Sequence, residues 1–290
     1  MESLVAVAPA ASVAVYNRKV MIAMPWQKQV SPITAFCVGQ LIDRRRTTAV
    51  LNFGDAFVAH SRNSIADTFL ASECEYLLTI DDDMVVPFGS AAWYAANTGF
   101  NFAEKFMGLN ALDRLMSHRK SLVGGLYFGK YKHGPAVYNE GSSEPEYARA
   151  APHDCIKPTR WVGTGCMLTH RTVFEAIEKK FPRLARLGAK GGQWYTSTEA
   201  SLMDRIERVR DRLTDGTPLD GRAAYAALDG VSAALAAVSQ ENTLGSGEDV
   251  SFCLRAAASG HQPYVDMGLV CGHIGHCVYG PQNTSEKPRG

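Results

Sequence analysis

Three consecutive carboxylates carry the first chemistry in this chain. Tyr76-Leu-Leu-Thr-Ile80 is a short apolar run of the kind buried on both faces of a sheet, and it stops on Asp81-Asp82-Asp83, followed by Met84-Val-Val-Pro87. Adjacent carboxylates repel one another and are costly to desolvate, so a folding argument alone does not ask for three of them there. A divalent cation removes the difficulty. Hard oxygen ligands suit Mg²⁺ or Mn²⁺, and Mg²⁺ is commonly held by one or two carboxylates together with substrate phosphates. The structural alternative is a solvated acidic turn with Asp as a cap.

Two further groups have the right chemistry. Gly247-Glu248-Asp249 opens an amphipathic run in which Val250, Phe252, Cys253 and Leu254 are apolar. First-turn acids satisfy orphan amides and the helix dipole, which is an adequate structural role. Cys271-Gly-His273-Ile-Gly-His276-Cys277 then puts two histidines and two cysteines within seven residues. Structural zinc sites pair two separated knuckles, and no second such pair exists in the sequence. A single histidine completing a carboxylate metal site is the more economical reading.

The elements that must position these groups follow from the hydrophobic pattern. Lys19 to Trp26 reads as a strand ending at Pro25, Ile33 to Arg45 as a helix, and Thr48 to Phe53 as a second strand. His60-Ser-Arg62-Asn63 leads into a helix over Ser64 to Ser72, and the aspartate strand follows. Strand, helix, strand, helix, strand is the grammar of a parallel sheet with helices on both faces, and in such sheets ligands bind at the carboxyl ends of the strands. Met107 to Arg119 reads as a helix, Ser121 to Phe128 as a strand, Lys130 to Pro158 as a long polar loop or ribbon, and Thr159 to Thr169 as a strand carrying Gly163-Thr-Gly165. A helix over Arg171 to Phe181, the Glu248-Asp249 helix and a return strand over Gly260 to Asp266 complete the core. Residues 183–243 break the grammar and read as a helical insertion, with Arg205, Arg208, Arg210 and Arg212 interleaved with Asp204, Glu207 and Asp211. That interleaving describes a salt-laced solvated face, or else an acceptor-docking surface. The expectation is one domain over 19–276, a poorly ordered leader over 1–18 and a tail over 277–290.

Composition agrees with a globular protein that buries a core. The chain has 290 residues, 46% of them apolar, and a formal net charge of +1, so no overall field favours nucleic acid or membrane. No apolar run reaches the ~18 residues of a spanning helix. The Ala/Val-rich start lacks the basic region of a signal peptide, and seven cysteines, an odd number, read as reduced thiols; both lead to an expected cytoplasmic location.

In order, a strand ending in Pro, a Ser-Arg-Asn, an Asp-x-Asp strand end followed by Pro, a Gly-x-Gly strand, a Glu-Asp helix start and a late Gly-His resemble the GT-A fold of nucleotide-sugar-dependent glycosyltransferases. The likeness is to family-2-like enzymes and to bacteriophage-encoded glycosyltransferases, and it covers about 19–182 and 245–276. It implies an α/β fold with a Rossmann-like, mixed, mostly parallel sheet flanked by helices. It also implies roles. Asp81 would face the nucleotide ribose, Asp83 would ligate a Mn²⁺ or Mg²⁺ that bridges the donor diphosphate, and Asp82 would shape the turn beside the donor. Arg62 and Asn63 would support the nucleotide and the acidic strand end, and Pro25 and Trp26 would line the base pocket. Gly163 and Gly165 would admit the donor sugar or acceptor. His273 would complete the metal shell, with His276 as the fallback. Asp249, with Glu248 as alternate, would be the base of an inverting transfer. The absence of a Q-x-x-R-W motif separates the chain from processive polysaccharide synthases.

The expected activity is transfer of a sugar from a nucleotide-sugar donor to a hydroxyl acceptor. The acceptor stays open among a modified DNA base, a glycan, a protein and a small molecule. A nucleotidyltransferase of related fold is one alternative, although the segment after Pro25 lacks a Gly-rich, basic phosphate loop. A non-catalytic DNA- or glycan-binding accessory protein is the other.

Overall fold

The computed structural model describes residues 19–26, 29–43, 47–54, 58–98, 110–130, 136–141, 146, 155–182, 194–195 and 247–280. Its centre is a seven-stranded sheet. In chain order the strands are β1 (Val20–Trp26), β2 (Thr47–Gly54), β3 (Tyr76–Ile80), β4 (Met84–Val85), β5 (Leu122–Leu126), β6 (Tyr138–Asn139), β7 (Ile156–Pro158), β8 (Trp161–Val162), β9 (Cys166–His170), β10 (Tyr264–Val270), β11 (Gly272–Ile274) and β12 (Val278–Tyr279). The described helices are α1 (Pro32–Leu41), α2 (Val58–Ala71), α3 (Ala91–Thr98), α4 (Ala111–Ser117), α5 (Arg171–Lys180) and α6 (Glu248–Ala258).

The main sheet runs β2-β1-β3-β9-β5-β10-β7. Strands β2, β1, β3, β5 and β10 point the same way, while β9 and β7 run against them. The fold is therefore the expected mixed, mostly parallel α/β sheet. Alternate residues of one strand feed opposite faces, as a period of two requires. Met21, Ala23 and Leu77 join the core that also holds Ile65 and Phe69 of α2, Phe174 and Ile177 of α5, and Phe252 of α6. Val20, Ile22, Leu78 and Ile80 join the opposite core with Val38 of α1 and Leu112 and Leu115 of α4. Helices cover both faces, which is why the central strands are mostly apolar.

Several boundaries differ from the sequence reading. Helix α2 begins at Val58, so Ser61, Arg62 and Asn63 lie inside it rather than ahead of it. Their polarity suggests a cap, yet all three are buried: Asp81 meets Arg62, and the Tyr195 N–H meets Asn63. Helix α1 stops at Leu41, and Ile42 is extended. The return strand lies at 264–270, four residues later than expected: α6 is closed by Gly260 at φ +91°, a conformation that suits glycine. The Gly163-Thr-Gly165 segment is a turn that splits its expected strand into β8 and β9. Within the expected loop over 130–158, Ile156–Pro158 pairs with β10 and forms the sheet edge. Val278–Tyr279 of the expected tail pairs with β11.

The leader, most of the insertion with its four arginines, and the end of the tail lie outside the described residues. The described part of the insertion is the turn at Trp194 and Tyr195. It docks on the core: Trp194 Nε1 donates to Asp67 Oδ1 (3.1 Å), the Tyr195 ring stacks on Phe252 at 4.4 Å, and Arg255 Nη1 donates to the Trp194 carbonyl (3.2 Å). Among the described residues, no helix is long and apolar enough to cross a membrane.

Candidate functional site

The candidate residues gather at the carboxyl ends of β1, β3, β5 and β10, the edge at which parallel strands present their ligands. Strand β3 leaves the sheet at Asp81, whose N–H donates to the Gly165 carbonyl (3.1 Å). The chain turns tightly, with Met84 N donating to the Asp81 carbonyl (3.2 Å), and continues as β4. Strand β11 pairs with β4, His273 opposite Met84, and Ile274 N donates to the Asp83 carbonyl (2.7 Å). Two segments 190 residues apart in sequence are thereby locked side by side, and Asp83 and His273 face one another.

His273 Nε2 lies 3.4 Å from Asp83 Oδ1. Its other ring nitrogen, Nδ1, is 2.8 Å from the Phe128 carbonyl oxygen, which can only accept, so Nδ1 carries the proton. In the neutral ring Nε2 is then a lone pair directed at a carboxylate, an arrangement that calls for a cation between them or a proton on the ring. A backbone carbonyl holding the far nitrogen is also how metal-binding histidines are commonly oriented. Lys130, four residues beyond the end of β5, pairs its Nζ with Asp83 Oδ2. Burial works to raise the Asp83 pKa, but the hydrogen bonds from His273 and Lys130 outweigh it and hold the carboxyl below its ordinary value.

These residues fit a hard divalent cation as a two-ligand site. Asp83 supplies oxygen and His273 nitrogen; among the described residues no three His, Cys, Asp or Glu side chains converge on one point. The remaining positions would fall to water and to phosphate oxygens, as is common for Mg²⁺.

Beside this pair sits a second charge cluster built on α2. Arg62 is 3% exposed and cannot follow a ligand out of the protein. Its Nη2 donates to both oxygens of Asp81, at 2.7 and 2.9 Å, and its Nη1 to Glu248 Oε1. Burial disfavours the guanidinium charge, but Asp81, Glu248 and Asp249 together overcome that and raise its pKa further. Asp249, next to Glu248 at the start of α6, has no such direct partner. Its Oδ1 accepts from Val250 N (2.8 Å). Burial, then the charge of Glu248, push its pKa up, against the pull of Arg62. A carboxylate raised in this way is suited to take a proton near neutral pH.

Asp81, Asp83, Arg62, Glu248, Asp249 and His273 therefore come together as the sequence suggests. The other expected residues are placed as follows. Pro25 is buried and Trp26 half-buried at the end of β1; the Trp26 indole N–H is buried without a hydrogen-bond partner among the described residues. The Asp82 carbonyl accepts from Ser31 N (2.9 Å) at the start of α1, which fixes the turn. Asn63 Oδ1 accepts from Tyr195 N (2.8 Å), so this side chain is engaged with the insertion. His276 is exposed in the turn between β11 and β12, whereas His273 is the histidine that meets Asp83.

The two glycines need a correction. A Cβ on Gly163 would lie 2.0 Å from the Tyr127 hydroxyl, and one on Gly165 would lie 2.9 Å from the same ring. The space they leave is filled by Tyr127, whose hydroxyl accepts from Gly165 N (3.2 Å). They admit a neighbouring side chain rather than a donor sugar. Tyr127 is buried, and burial, then the charges of Asp81 and Asp249, raise its pKa well above the ordinary value. Its ring also packs edge-on against His273 at 5.4 Å.

Tyr127, Lys130 and the Phe128 carbonyl escape sequence reasoning. Tyr127 reads as one more apolar strand residue, and a backbone carbonyl has no sequence signature. Lys130 opens a polar stretch where a lysine is unremarkable. The one usable signal is position: all three follow the end of a parallel strand.

Neither the known family models nor the curated proteins contain a match to this chain. Among solved structures, the chain is similar to the protein in "Crystal Structure of A197 from STIV", with a TM-score of 0.43 and 14% identity over 88% of this chain and 85% of that one. At that level the likeness carries no argument, and the functional reading rests on the residues themselves.

Proposed function

We propose that this protein is a metal-dependent glycosyltransferase that moves a sugar from a nucleotide-diphosphate donor to a hydroxyl acceptor. The observation that carries the reading is Asp83 and His273 held face to face, with His273 Nδ1 fixed on the Phe128 carbonyl, at the carboxyl ends of the parallel strands. An imidazole anchored on a backbone carbonyl and facing a carboxylate is the arrangement in which a histidine and an aspartate can share one cation.

Mn²⁺ or Mg²⁺ on Asp83 and His273 would act as a Lewis acid, stabilising the negative charge that develops on the departing diphosphate. The protein's own groups do the rest. Trp26 would supply a flat apolar face for the donor base, with an indole N–H that has no partner among the described residues. Asp81 keeps acceptor capacity for a ribose hydroxyl, because a carboxylate has about four lone-pair sites and Arg62 uses two. Arg62 holds Asp81 and Glu248 in place and limits their mutual repulsion. Asp249 takes the proton of the acceptor hydroxyl as it attacks the anomeric carbon, in an inverting displacement. Its neighbour Glu248 is tied to Arg62 and therefore less available as the base.

The test is hydrolysis or transfer with a panel of nucleotide sugars, with Mn²⁺ and with chelator. Metal-dependent consumption of one donor class is the expected outcome. No consumption of any donor, together with no metal-dependent binding of a nucleoside diphosphate, would contradict the reading and favour a binding module. Acceptor class is then separable on the active donor by offering hydroxymethylated DNA, glycans, proteins and small alcohols in turn.

A further inference from the structure

Lys130 has no assigned part in the chemistry above, yet it touches the residue on which that chemistry depends. Its Nζ pairs with Asp83 Oδ2, while His273 stands at the other oxygen. The two cations nearest the acidic strand end differ in kind. Arg62 is buried and bonded on both sides. The Lys130 side chain is 39% exposed, so its flexible four-carbon stem can re-aim the ammonium without opening the core.

Charge supplies the reason for it to move. Asp81, Asp83, Glu248 and Asp249 are four carboxylates, and among the described residues Arg62 and Lys130 are the full positive charges paired with them. A divalent cation between Asp83 Oδ1 and His273 would bring two positive charges to the carboxylate that Lys130 holds through Oδ2, and like charges at that separation repel. A nucleoside diphosphate would bring anionic oxygens to the same place. An ammonium displaced from a carboxylate beside a newly arrived phosphate has a better partner within reach.

We infer that Lys130 is a switching lysine: it occupies Asp83 in the empty site, yields to the divalent cation, and then binds the diphosphate of the donor. This rests on the glycosyltransferase reading and adds a residue and a direction of coupling to it. The consequence is a pair of opposite signs. Removing Lys130 removes a competitor for Asp83, so the metal alone binds more tightly. It also removes a contact with the diphosphate, so the nucleotide binds more weakly. A lysine serving only to brace the fold would not yield opposite signs.

The experiment is calorimetric titration of the full chain and of Lys130→Ala, first with Mn²⁺ alone, then with UDP, GDP, dTDP and ADP at saturating Mn²⁺. The expected result is Mn²⁺ affinity raised about threefold to fivefold, the scale of a partly exposed ion pair. Affinity for the preferred nucleotide should fall about tenfold or more, the scale of a hydrogen bond to a charged group. Lys130→Arg should restore most of the nucleotide affinity. Unchanged or weakened Mn²⁺ binding in Lys130→Ala would overturn the inference, as would unchanged nucleotide affinity. Asp83→Ala is the companion that separates the two levels. If wild-type Mn²⁺ binding does not depend on Asp83, the glycosyltransferase reading itself fails; if it does and Lys130→Ala changes nothing, only the switching role fails.

Discussion

Two clusters of charge lie at this sheet, and they are built in opposite ways. On β10, Asp266 is fully buried and every demand it makes is met. Arg114 donates from Nε (2.5 Å) and Nη2 (2.8 Å), His118 Nε2 lies at 2.6 Å, and the N–H groups of Gly268 and Leu269 donate at 2.9 and 3.2 Å. One carboxylate has two basic side chains and two amides, and the product is a clamp between α4 with its following turn and β10. At the end of β3 the balance is inverted: Asp81, Asp83, Glu248 and Asp249 share Arg62 and Lys130, with His273 beside them. A site that only had to be stable would resemble the first cluster. An excess of acid that is only partly compensated is what a site keeps when part of its positive charge arrives with a ligand.

The contrast can be broken by asking which cluster fails in which assay. Asp249→Asn should leave the fold and donor binding intact and lower turnover by about 10²–10⁴, the usual contribution of a general base. A steady-state assay with the active donor checks this, and full activity would remove Asp249 from the mechanism. Asp266→Asn should do the reverse. Losing one partner of a buried ion pair costs about 3–5 kcal/mol, read by urea denaturation, because Arg114 keeps its charge without its counterpart. Residual activity per folded molecule should be near wild type.

Acid sharpens the same contrast. The Asp266 carboxyl is held down at about 2 by its hydrogen bonds from His118 and Arg114 and by their charges, which overcome burial. Its folded value lies below its unfolded one, so its contribution is complete above roughly pH 4 and is lost as pH falls toward 2. That contribution is about 2 kcal/mol at most. Asp249 is shifted the other way, so loss of activity on acidification should begin at a higher pH than an ordinary aspartate would give, well before the Asp266 clamp weakens. A pH–rate profile set beside a pH–stability profile tests the separation; coincident acid limbs would contradict it. Smaller effects follow. Tyr127→Phe strips the buried Gly165 N–H of its acceptor, at about 1–3 kcal/mol. Glu248→Gln should cost less than about 1 kcal/mol, because Arg62 keeps both bonds to Asp81.

Much of the acidic cluster is legible in the sequence because its signal is local. Three aspartates ending an apolar run, and two acids opening an amphipathic one, announce themselves without a fold. The clamp at Asp266 is not legible: Arg114 and His118 look like the basic end of a helix, and only strand order brings them to β10. The same limit hid Lys130 and Tyr127. Gly163 and Gly165 were visible, but their use was not, since a glycine reports that something approaches closely and not what approaches. The sheet was readable in kind from its alternating strands and helices. The reversal of β9 between β3 and β5 depends on pairing across about ninety residues, which periodicity does not encode.

The central claim is that Asp83 and His273 form a grip for a divalent cation. Anomalous diffraction from crystals grown with Mn²⁺ and a nucleoside diphosphate tests it most directly. The account requires an Mn²⁺ peak within bonding distance of an Asp83 carboxylate oxygen and of His273 Nε2, with Lys130 turned away from Asp83. A peak elsewhere, or none at this pair while Lys130 stays on Asp83 with nucleotide bound, would contradict it.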